Sequence, residues 1–427
     1  MNLVFIVLVG IAVLFAGWRE LFHNAVSGSA SPMEALSKAM VDSAGGAVTL
    51  SLGLVGVMAL FLGLMKVAEA GGMLTILARL IRPLMVRLFP DVPAGHPAMG
   101  AIILNLSANA LGLGNAATPF GIRAMQELDK LNPRPGTASD AMVLFLAINT
   151  SSITLLPTGV IALRAAAGSV HPAAILPTTL FATLCSTAAA ICAAKLYRRL
   201  APLPFEPAAS VERSLDAPSN APLPKGGEAY PLWISLSALA LVVTLIPLTV
   251  LYGSVISPWI LPGLMVGFLL FGVARGVRVY EQFVEGAKEG FQVALRIIPY
   301  LVAILVAVGM LRASGALDAF VNAAGGLLGR VGLPAEALPM AVLRPLSGSG
   351  AFAVMASILN DPAIGPDSYT GYLVSTLQGC TETTFYVMAV YFGAVQVRRT
   401  RHALAAGLTA DLVGIAAAVA ACSYLFA

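Results

Sequence analysis

The chain has 427 residues, of which 58% are hydrophobic and 11% are charged, and its formal net charge at pH 7 is +4. Soluble domains carry roughly 25% charged residues, so the low charge, together with a mean hydropathy of +0.87, excludes an ordinary soluble protein. No basic stripe accompanies the modest net charge, which argues against a nucleic-acid partner. Composition therefore predicts an all-α polytopic membrane protein, with the lipid bilayer as its surroundings.

Several apolar runs approach or reach the length of about 17–25 residues that crosses a bilayer. The first run is predicted to be a retained helix, because Trp18-Arg19-Glu20 follows it instead of a small-residue cleavage site. Positive charge at Lys195, Arg198 and Arg199 predicts a cytoplasmic edge of a multi-pass membrane protein. The runs are Leu3–Trp18, Val48–Val67, Ile175–Ala194, Leu232–Leu251, Val255–Val273, Ile297–Met310 and Ala403–Ala427.

The sequence contains an internal repeat. AEAGGML, at residues 68–74, aligns with LRASGAL, at residues 311–317, and each follows a charged amphipathic stretch and an apolar run. Duplicated membrane units of this kind are common in transporters. The last helix of the first unit is predicted to end in the cytoplasm at Arg198, whereas that of the second starts there after Arg401. We therefore expect two homologous, inverted repeats.

Three domains follow from this pattern. Residues 1–196 form a first membrane unit and residues 230–427 form a second. Residues 197–229 are rich in proline and polar residues and show no apolar period, so we predict a cytoplasmic linker.

Polar residues interrupt the first unit at membrane depth in two places. Gly112 and Gly114 permit backbone conformations that break a helix, and lipid tolerates such breaks only when they are buried in protein or line a wet cavity. We therefore predict broken or re-entrant helices at a solute site; the alternative is a small-residue helix contact. The candidate residues are Asn105, Asn109, Asn115, Thr118, Asn149, Thr150, Ser151 and Ser152.

The second unit adds charge at the corresponding places. Arg344 would suit an anionic group, and Glu382 would suit a coupling proton or sodium ion, or a polyol. Alternatively, Arg344 and Glu382 form an ion pair that holds the repeats together, or Glu382 pairs with Lys66. Asp411 is either a proton relay or a packed helix contact. The candidate residues are Arg344, Ser347, Ser349, Gln378, Thr381, Glu382 and Thr383.

Long motifs carry a family resemblance. GLMKVAEAGG, LFPDVPAGHPAMGAIILNLSANALGLGNAATPFGIRAMQ and FLAINTSSITLLPT resemble spore maturation protein A. YEQFVEGAKEGFQVALRIIPYLVAILVAVGMLRASGALDA, LRPLSGSGAFAVM, QGCTETTFYVMAVYFGAV and GLTADLVGI resemble spore maturation protein B. The chain thus resembles a fusion of the two, within a family named for a nucleoside recognition or Gate domain. The resemblance implies transport by analogy with nucleoside and ferrous-iron transporters.

Together these patterns predict a secondary transporter of a small polar or anionic organic solute, nucleosides among the candidates, coupled to H⁺ or Na⁺. The alternative is a non-transporting scaffold or regulator of cell-envelope enzymes. No HExxH motif, GxSxG elbow or paired catalytic acid occurs, so we expect no enzyme, no cofactor and no metal centre. A homodimer is the expected assembly.

Overall fold

The computed structural model describes residues 2–22, 30–112, 114–151, 154–200, 230–317, 319 and 332–426. Within these ranges the regular structure is helical and contains no β-strand. The predicted all-α class is confirmed. Residues 201–229 of the predicted linker lie outside the described residues, and residues 197–200 are the last turn of a helix, so the domain division stays a prediction.

In the first unit a long helix is followed, after a sharp bend, by a second helix and a series of shorter ones. Its helices are α1 (Asn2–Leu21), α2 (Pro32–Ala70), α3 (Met73–Leu88), α4 (Pro97–Ala110), α5 (Gly114–Lys130), α6 (Asp140–Ser151), α7 (Thr158–Ala166) and α8 (Leu176–Leu200). A short 3₁₀ turn, Pro172–Ile175, leads into α8.

The second unit repeats this order of a long helix followed by short ones. Its helices are α9 (Leu232–Ala274), α10 (Val279–Ala313), α11 (Leu338–Leu346), α12 (Gly348–Leu359), α13 (Tyr369–Cys380), α14 (Thr384–Ala394) and α15 (Ala403–Phe426). A 3₁₀ turn, Ala335–Ala337, precedes α11.

Among the described residues, Pro172–Arg199 and Ala403–Phe426 are long and apolar enough to cross a membrane. The pair Val55–Ala70 and Met73–Leu88 would count as one further span, bent by 69°. Shorter apolar helices, α6 and α12 among them, make up much of the remaining apolar structure. Short helices of this kind are what a polytopic protein with broken spans contains.

Helix α9 corrects one sequence-based prediction. The runs Leu232–Leu251 and Val255–Val273 were expected as two helices, but they belong to one continuous helix of 43 residues. At 1.5 Å per residue this helix is about 65 Å long. The intervening Tyr252-Gly253-Ser254 does not break it, because one glycine costs a helix only about 1 kcal/mol. All three residues also keep the backbone N–H group that a helix in an apolar setting needs for its hydrogen bonds.

Helices α2 and α10 form a close antiparallel pair. A Cβ atom at Gly290 would lie 2.7 Å from the Ala59 Cα, and one at Gly286 would lie 2.4 Å from the Leu62 carbonyl oxygen. Gly286 and Gly290 therefore form a GxxxG pair that allows the two backbones to touch. Toward the other end of the pair, Gly309 packs against Ser43. The two helices occupy equivalent positions in the repeats, so their opposite directions agree with inverted units.

The last helices of the two units, α8 and α15, also run antiparallel. Ser186 on α8 donates to the Ala410 carbonyl at 2.9 Å, and the Tyr197 hydroxyl lies 3.0 Å from that of Thr409. Both ends meet at Asp140, which binds Arg198 at 2.9 Å and Arg401 at 2.7 Å. The end of one helix and the start of its repeat equivalent thus lie on the same side, as inverted repeats require.

The glycine contact between α2 and α10 can be tested by adding a single methyl group. We expect Gly286→Ala to lower the free energy of unfolding by about 1–3 kcal/mol, because its Cβ would overlap backbone that cannot move independently. Thermal unfolding of the purified protein in detergent would measure the loss. Gly267→Ala on α9 is the matched control, since a Cβ there meets nothing within 4 Å. Equal midpoints for the two variants would contradict the close packing.

Candidate functional site

The broken helices predicted from the polar interruptions are present. In the first unit α4 ends at Ala110 and α5 begins at Gly114, while α6 ends at Ser151 and α7 begins at Thr158. In the second unit the breaks fall at Ser347, between α11 and α12, and at residues 381–383, between α13 and α14. Each unit therefore contributes two helix breaks.

The two breaks of the first unit hold each other. The Leu155 N–H donates to the Ala110 carbonyl at 3.0 Å, which is one of the carbonyls left without a partner where α4 ends. Gly112 adopts a left-handed φ of +75°, and a Cβ there would lie 2.7 Å from the Leu156 carbonyl oxygen. Glycine is needed at this position for both its φ and the close approach of the second break.

The breaks of the second unit consist of extended backbone. Ser347 has φ −155° and ψ 112°, and its hydroxyl accepts the Gly350 N–H at 3.1 Å as the cap of α12. Thr381 and Thr383 are also extended. Between them, the Glu382 N–H donates to the Thr150 carbonyl at the end of α6, at 2.8 Å. This hydrogen bond joins a break of the second unit to a break of the first.

All four breaks open onto one cavity of about 220 Å³. The first unit contributes the ends of α4 and α6–α7, and the second contributes the start of α12 and the end of α13. The predicted site residues in its lining are Asn109, Arg344, Gln378, Thr381 and Glu382. The structure thus brings candidates from both units to one place.

Arg344 is buried at one side of this cavity. Its guanidinium donates to the Thr383 hydroxyl at 3.3 Å and to the Thr381 carbonyl. Its Nη2 lies 3.8 Å from the Glu382 carboxylate, whose side chain remains 46% exposed. This contact lies within the second unit, so it does not hold the two repeats together. Lys66 is not the partner of Glu382 either, because it pairs with Glu69 and Glu289.

Several predicted residues support the site from behind. Asn105 donates to the Ala117 carbonyl at 2.8 Å and to the Tyr391 hydroxyl at 3.1 Å. Asn149 accepts from Asn109 at 2.9 Å and donates to the Phe145 carbonyl at 2.9 Å. Asn105 and Asn149, unlike Asn109, do not line the cavity. They tie the helix ends together, which is the small-residue contact that the sequence left open as the alternative.

The hydroxyl groups at the end of α6 have a similar role. Thr150 donates to the Ala147 carbonyl at 2.9 Å and Ser151 donates to the Ile148 carbonyl at 2.9 Å, while the Ser151 hydroxyl lies 3.0 Å from that of Thr187 on α8. Back-bonding of this kind is the usual use of a hydroxyl in a buried helix.

The remaining candidates are spread around the breaks. Ser349 lies 3.5 Å from the Ser347 hydroxyl in the first turn of α12. Thr118 is partly buried on α5, and Asn115 lies in the first turn of the same helix. Ser152 lies outside the described residues.

Sequence reasoning missed a second buried arginine. Arg164, near the end of α7, is 0% exposed and binds the Asp367 carboxylate of the second unit at 2.9 Å. It also donates to the Pro366 carbonyl at 2.7 Å, and its guanidinium lies 4.4 Å from the centroid of the Tyr372 ring. The available signal was an arginine inside an apolar stretch, the same signal that identified Arg344.

Asp367 accepts hydrogen bonds from groups other than Arg164. It accepts from the Ser169 hydroxyl at 2.6 Å and from the Val170 N–H at 2.7 Å. Burial alone would raise the pKa of the Asp367 carboxyl, but these hydrogen bonds and the charge of Arg164 hold its pKa below the ordinary value. The pair forms an ionic contact between the units, apart from the cavity.

Fold and site define an all-α polytopic membrane protein whose two homologous units meet at broken helices. The chain belongs to the Gate family, described as "Nucleoside recognition", which matches residues 51–167 and 294–398. The match falls in two separate segments, one in each unit, and confirms the internal repeat.

Two curated relatives each match less than half of this chain but most of their own length. Spore maturation protein B of Bacillus subtilis (strain 168) is 44% identical over 166 residues, covering 39% of this chain and 92% of the relative. Spore maturation protein A of the same organism is 50% identical over 159 residues, covering 37% of this chain and 81% of the relative. The solved YdaH transporter of Alcanivorax borkumensis has a TM-score of 0.37 and 17% identity over 98% of both chains, a similarity too low to support any conclusion.

The Arg164–Asp367 pair predicts a specific acid sensitivity. Its contribution to stability is complete above the ordinary carboxyl pKa of about 4 and is lost as the pH falls through the lowered pKa of Asp367. Asp367→Asn should lower the free energy of unfolding at neutral pH by about 3 kcal/mol, because it leaves the buried guanidinium without its anion. It should also remove this part of the acid response.

Thermal unfolding in detergent between about pH 3 and pH 7 would measure both effects. Glu285→Gln is the matched control, because the Glu285–Lys288 pair is exposed and such pairs are worth about 0–1 kcal/mol. Indistinguishable unfolding profiles for the two variants would show that the buried pair contributes no more than a surface one.

Proposed function

We propose that the chain is a secondary transporter of a small polar or anionic organic solute in the bacterial cytoplasmic membrane. The solute binds in the cavity between the four helix breaks. The observation that carries this proposal is the convergence of breaks from two inverted units on one cavity beside the buried Arg344. A helix break is costly in an apolar environment, so four of them around one cavity favour a binding role over a packing role.

The lining of the cavity favours a solute with an anionic or polyol group. Arg344 supplies a positive charge in a buried setting. The helices α7 and α12 begin at the cavity, at Thr158 and Gly348, and helix N-termini attract anions. Gln378 and Glu382 add groups that hydrogen-bond hydroxyls. The family's description as "Nucleoside recognition" makes nucleosides and related compounds the first candidates.

Inverted units also supply a mechanism for alternating access. Two similar units that run in opposite directions can exchange conformations, and the exchange opens the shared site first to one side and then to the other. In this chain each wall of the cavity belongs to a different unit. A relative movement of the units would therefore change access to the solute directly.

A ligand screen tests the proposal. The purified protein in detergent is heated with nucleosides, nucleotides, small carboxylates and sugar phosphates. A true ligand at about 100 times its Kd should add roughly 2.7 kcal/mol to the free energy of unfolding. We expect the shift to disappear in the double variant Arg344→Ala/Glu382→Gln. A wild type that responds to no compound, together with loss of cellular function on deletion of residues 201–229 alone, would favour the scaffold alternative.

A second test fills the cavity without removing a polar group. A Cβ at Gly159, in the cavity lining, meets no atom within 4 Å, so Gly159→Leu should fold and occupy the space of the solute. We expect solute affinity to fall by at least about tenfold, or 1.4 kcal/mol, measured by equilibrium binding. Gly393→Leu on α14 is the control, because Gly393 is equally unobstructed but exposed away from the cavity. Unchanged affinity in Gly159→Leu would place the solute elsewhere.

A further inference from the structure

One buried carboxylate is not used by the solute cavity. Asp411 lies in the middle of α15 and is 3% exposed. Its Oδ2 accepts the Thr384 hydroxyl at 2.6 Å, at the first residue of α14. Its Oδ1 is buried and has no hydrogen-bond partner. An ionised oxygen in this position is strongly unfavourable unless a cation or a proton neutralises it.

Glycines on either side of Asp411 make room for threonine and serine side chains from neighbouring helices. A Cβ at Gly407 would lie 2.8 Å from the Thr384 side chain and 3.5 Å from the Thr150 hydroxyl. A Cβ at Gly414 would lie 2.8 Å from the Thr381 methyl group and 3.3 Å from the Ser186 hydroxyl. The face of α15 that carries Asp411 thus packs against hydroxyl-bearing residues of α6, α8, α13–α14 and their breaks.

In the part of the chain that the structure describes, no charged group near Asp411 bonds its free Oδ1 atom. Arg344 on α11 and the Cys380 thiol on α13 interact electrostatically with Asp411. Neither donates to Oδ1: Arg344 is engaged with Thr381 and Thr383, and Cys380 donates to the Leu377 carbonyl. On α8, Tyr197 bonds Thr409 instead.

We propose that the Asp411 carboxylate and the Thr384 hydroxyl bind a monovalent cation, Na⁺ or a proton, behind the wall of the solute cavity. Carboxylate and hydroxyl oxygens are hard ligands that suit such ions. A divalent ion would require more negative charge, and the described residues contain no cluster of three acidic, histidine or cysteine ligands.

The position of this site would couple the cation to the solute. Thr381 lines the solute cavity, and its methyl group packs at Gly414 beside Asp411. Thr384, three residues later, binds Asp411 directly. One helix break therefore lies between the two sites, and a cation that orders it would also order the cavity wall. This coupling rests on the transport function proposed above, whereas cation binding itself does not.

Cation binding can be measured without any solute. The full chain in detergent is unfolded thermally at about pH 8 in increasing NaCl, with choline chloride holding the ionic strength constant. If Na⁺ is the occupant, the midpoint of the wild type rises and saturates, and the rise is absent in Asp411→Asn. Thr384→Val should require about fivefold more Na⁺ for half of the shift, since it loses one oxygen ligand. Asp91→Asn, at a half-exposed carboxylate, should respond like the wild type.

If the bound ion is a proton and not Na⁺, the expected result is different. NaCl then shifts the midpoint of neither wild type nor Asp411→Asn. When the pH is varied instead, the wild type loses stability as the pH rises above the ordinary carboxyl pKa of about 4, and Asp411→Asn lacks this loss. Identical Na⁺ and pH responses in wild type and Asp411→Asn would overturn the proposal. If Asp411→Asn does not fold, identical responses in wild type and Thr384→Val would overturn it instead. A failed solute screen affects none of these outcomes, so the two proposals can fail separately.

Discussion

The hydrogen bond from the Glu382 N–H to the Thr150 carbonyl is the contact on which the rest of the site depends. A chain that unwinds in an apolar environment exposes backbone groups that water cannot reach, and each such group must find a protein partner. Here the partner is the end of another broken helix, in the other unit. The Leu155–Ala110 bond does the same within the first unit, so the breaks are stable as a group, and the cavity is the space left where they meet.

The framework around this group is built from close packing. The GxxxG pair on α10 brings it against α2, and α8 and α15 form the second antiparallel pair. Both pairs join repeat-equivalent helices, so the units share an approximate twofold relationship. At the cavity, the charged residues of the two units are not equivalent. The second unit supplies Arg344 and Glu382, whereas the first supplies amides and hydroxyls, and the two walls of the cavity are therefore chemically different.

Much of this arrangement could be predicted from the sequence because its signals are local. Glycines and polar residues inside apolar runs indicated the breaks, and the repeat indicated that they would meet. The orientation of individual side chains could not be predicted in this way. Asn105, Asn109 and Asn149 are the same residue type in similar apolar surroundings, but Asn105 bonds the Ala117 carbonyl on α5 and Asn149 bonds Asn109 on α4, and these partners depend on how the helices pack. Arg164 and Asp367 are 203 residues apart, and only the folded arrangement of two units brings them together. The continuity of α9 was missed because a short polar interval is a weak signal.

The cavity draws one wall from each unit, and this has a consequence for how the protein is made. Separate synthesis of the two halves would leave every surplus copy of either half with helix breaks that lack their partners. A single chain carries both halves through one ribosome and fixes their stoichiometry at one to one. Gene expression then cannot unbalance the two walls, and the concentration of each half near the other no longer depends on diffusion in the membrane.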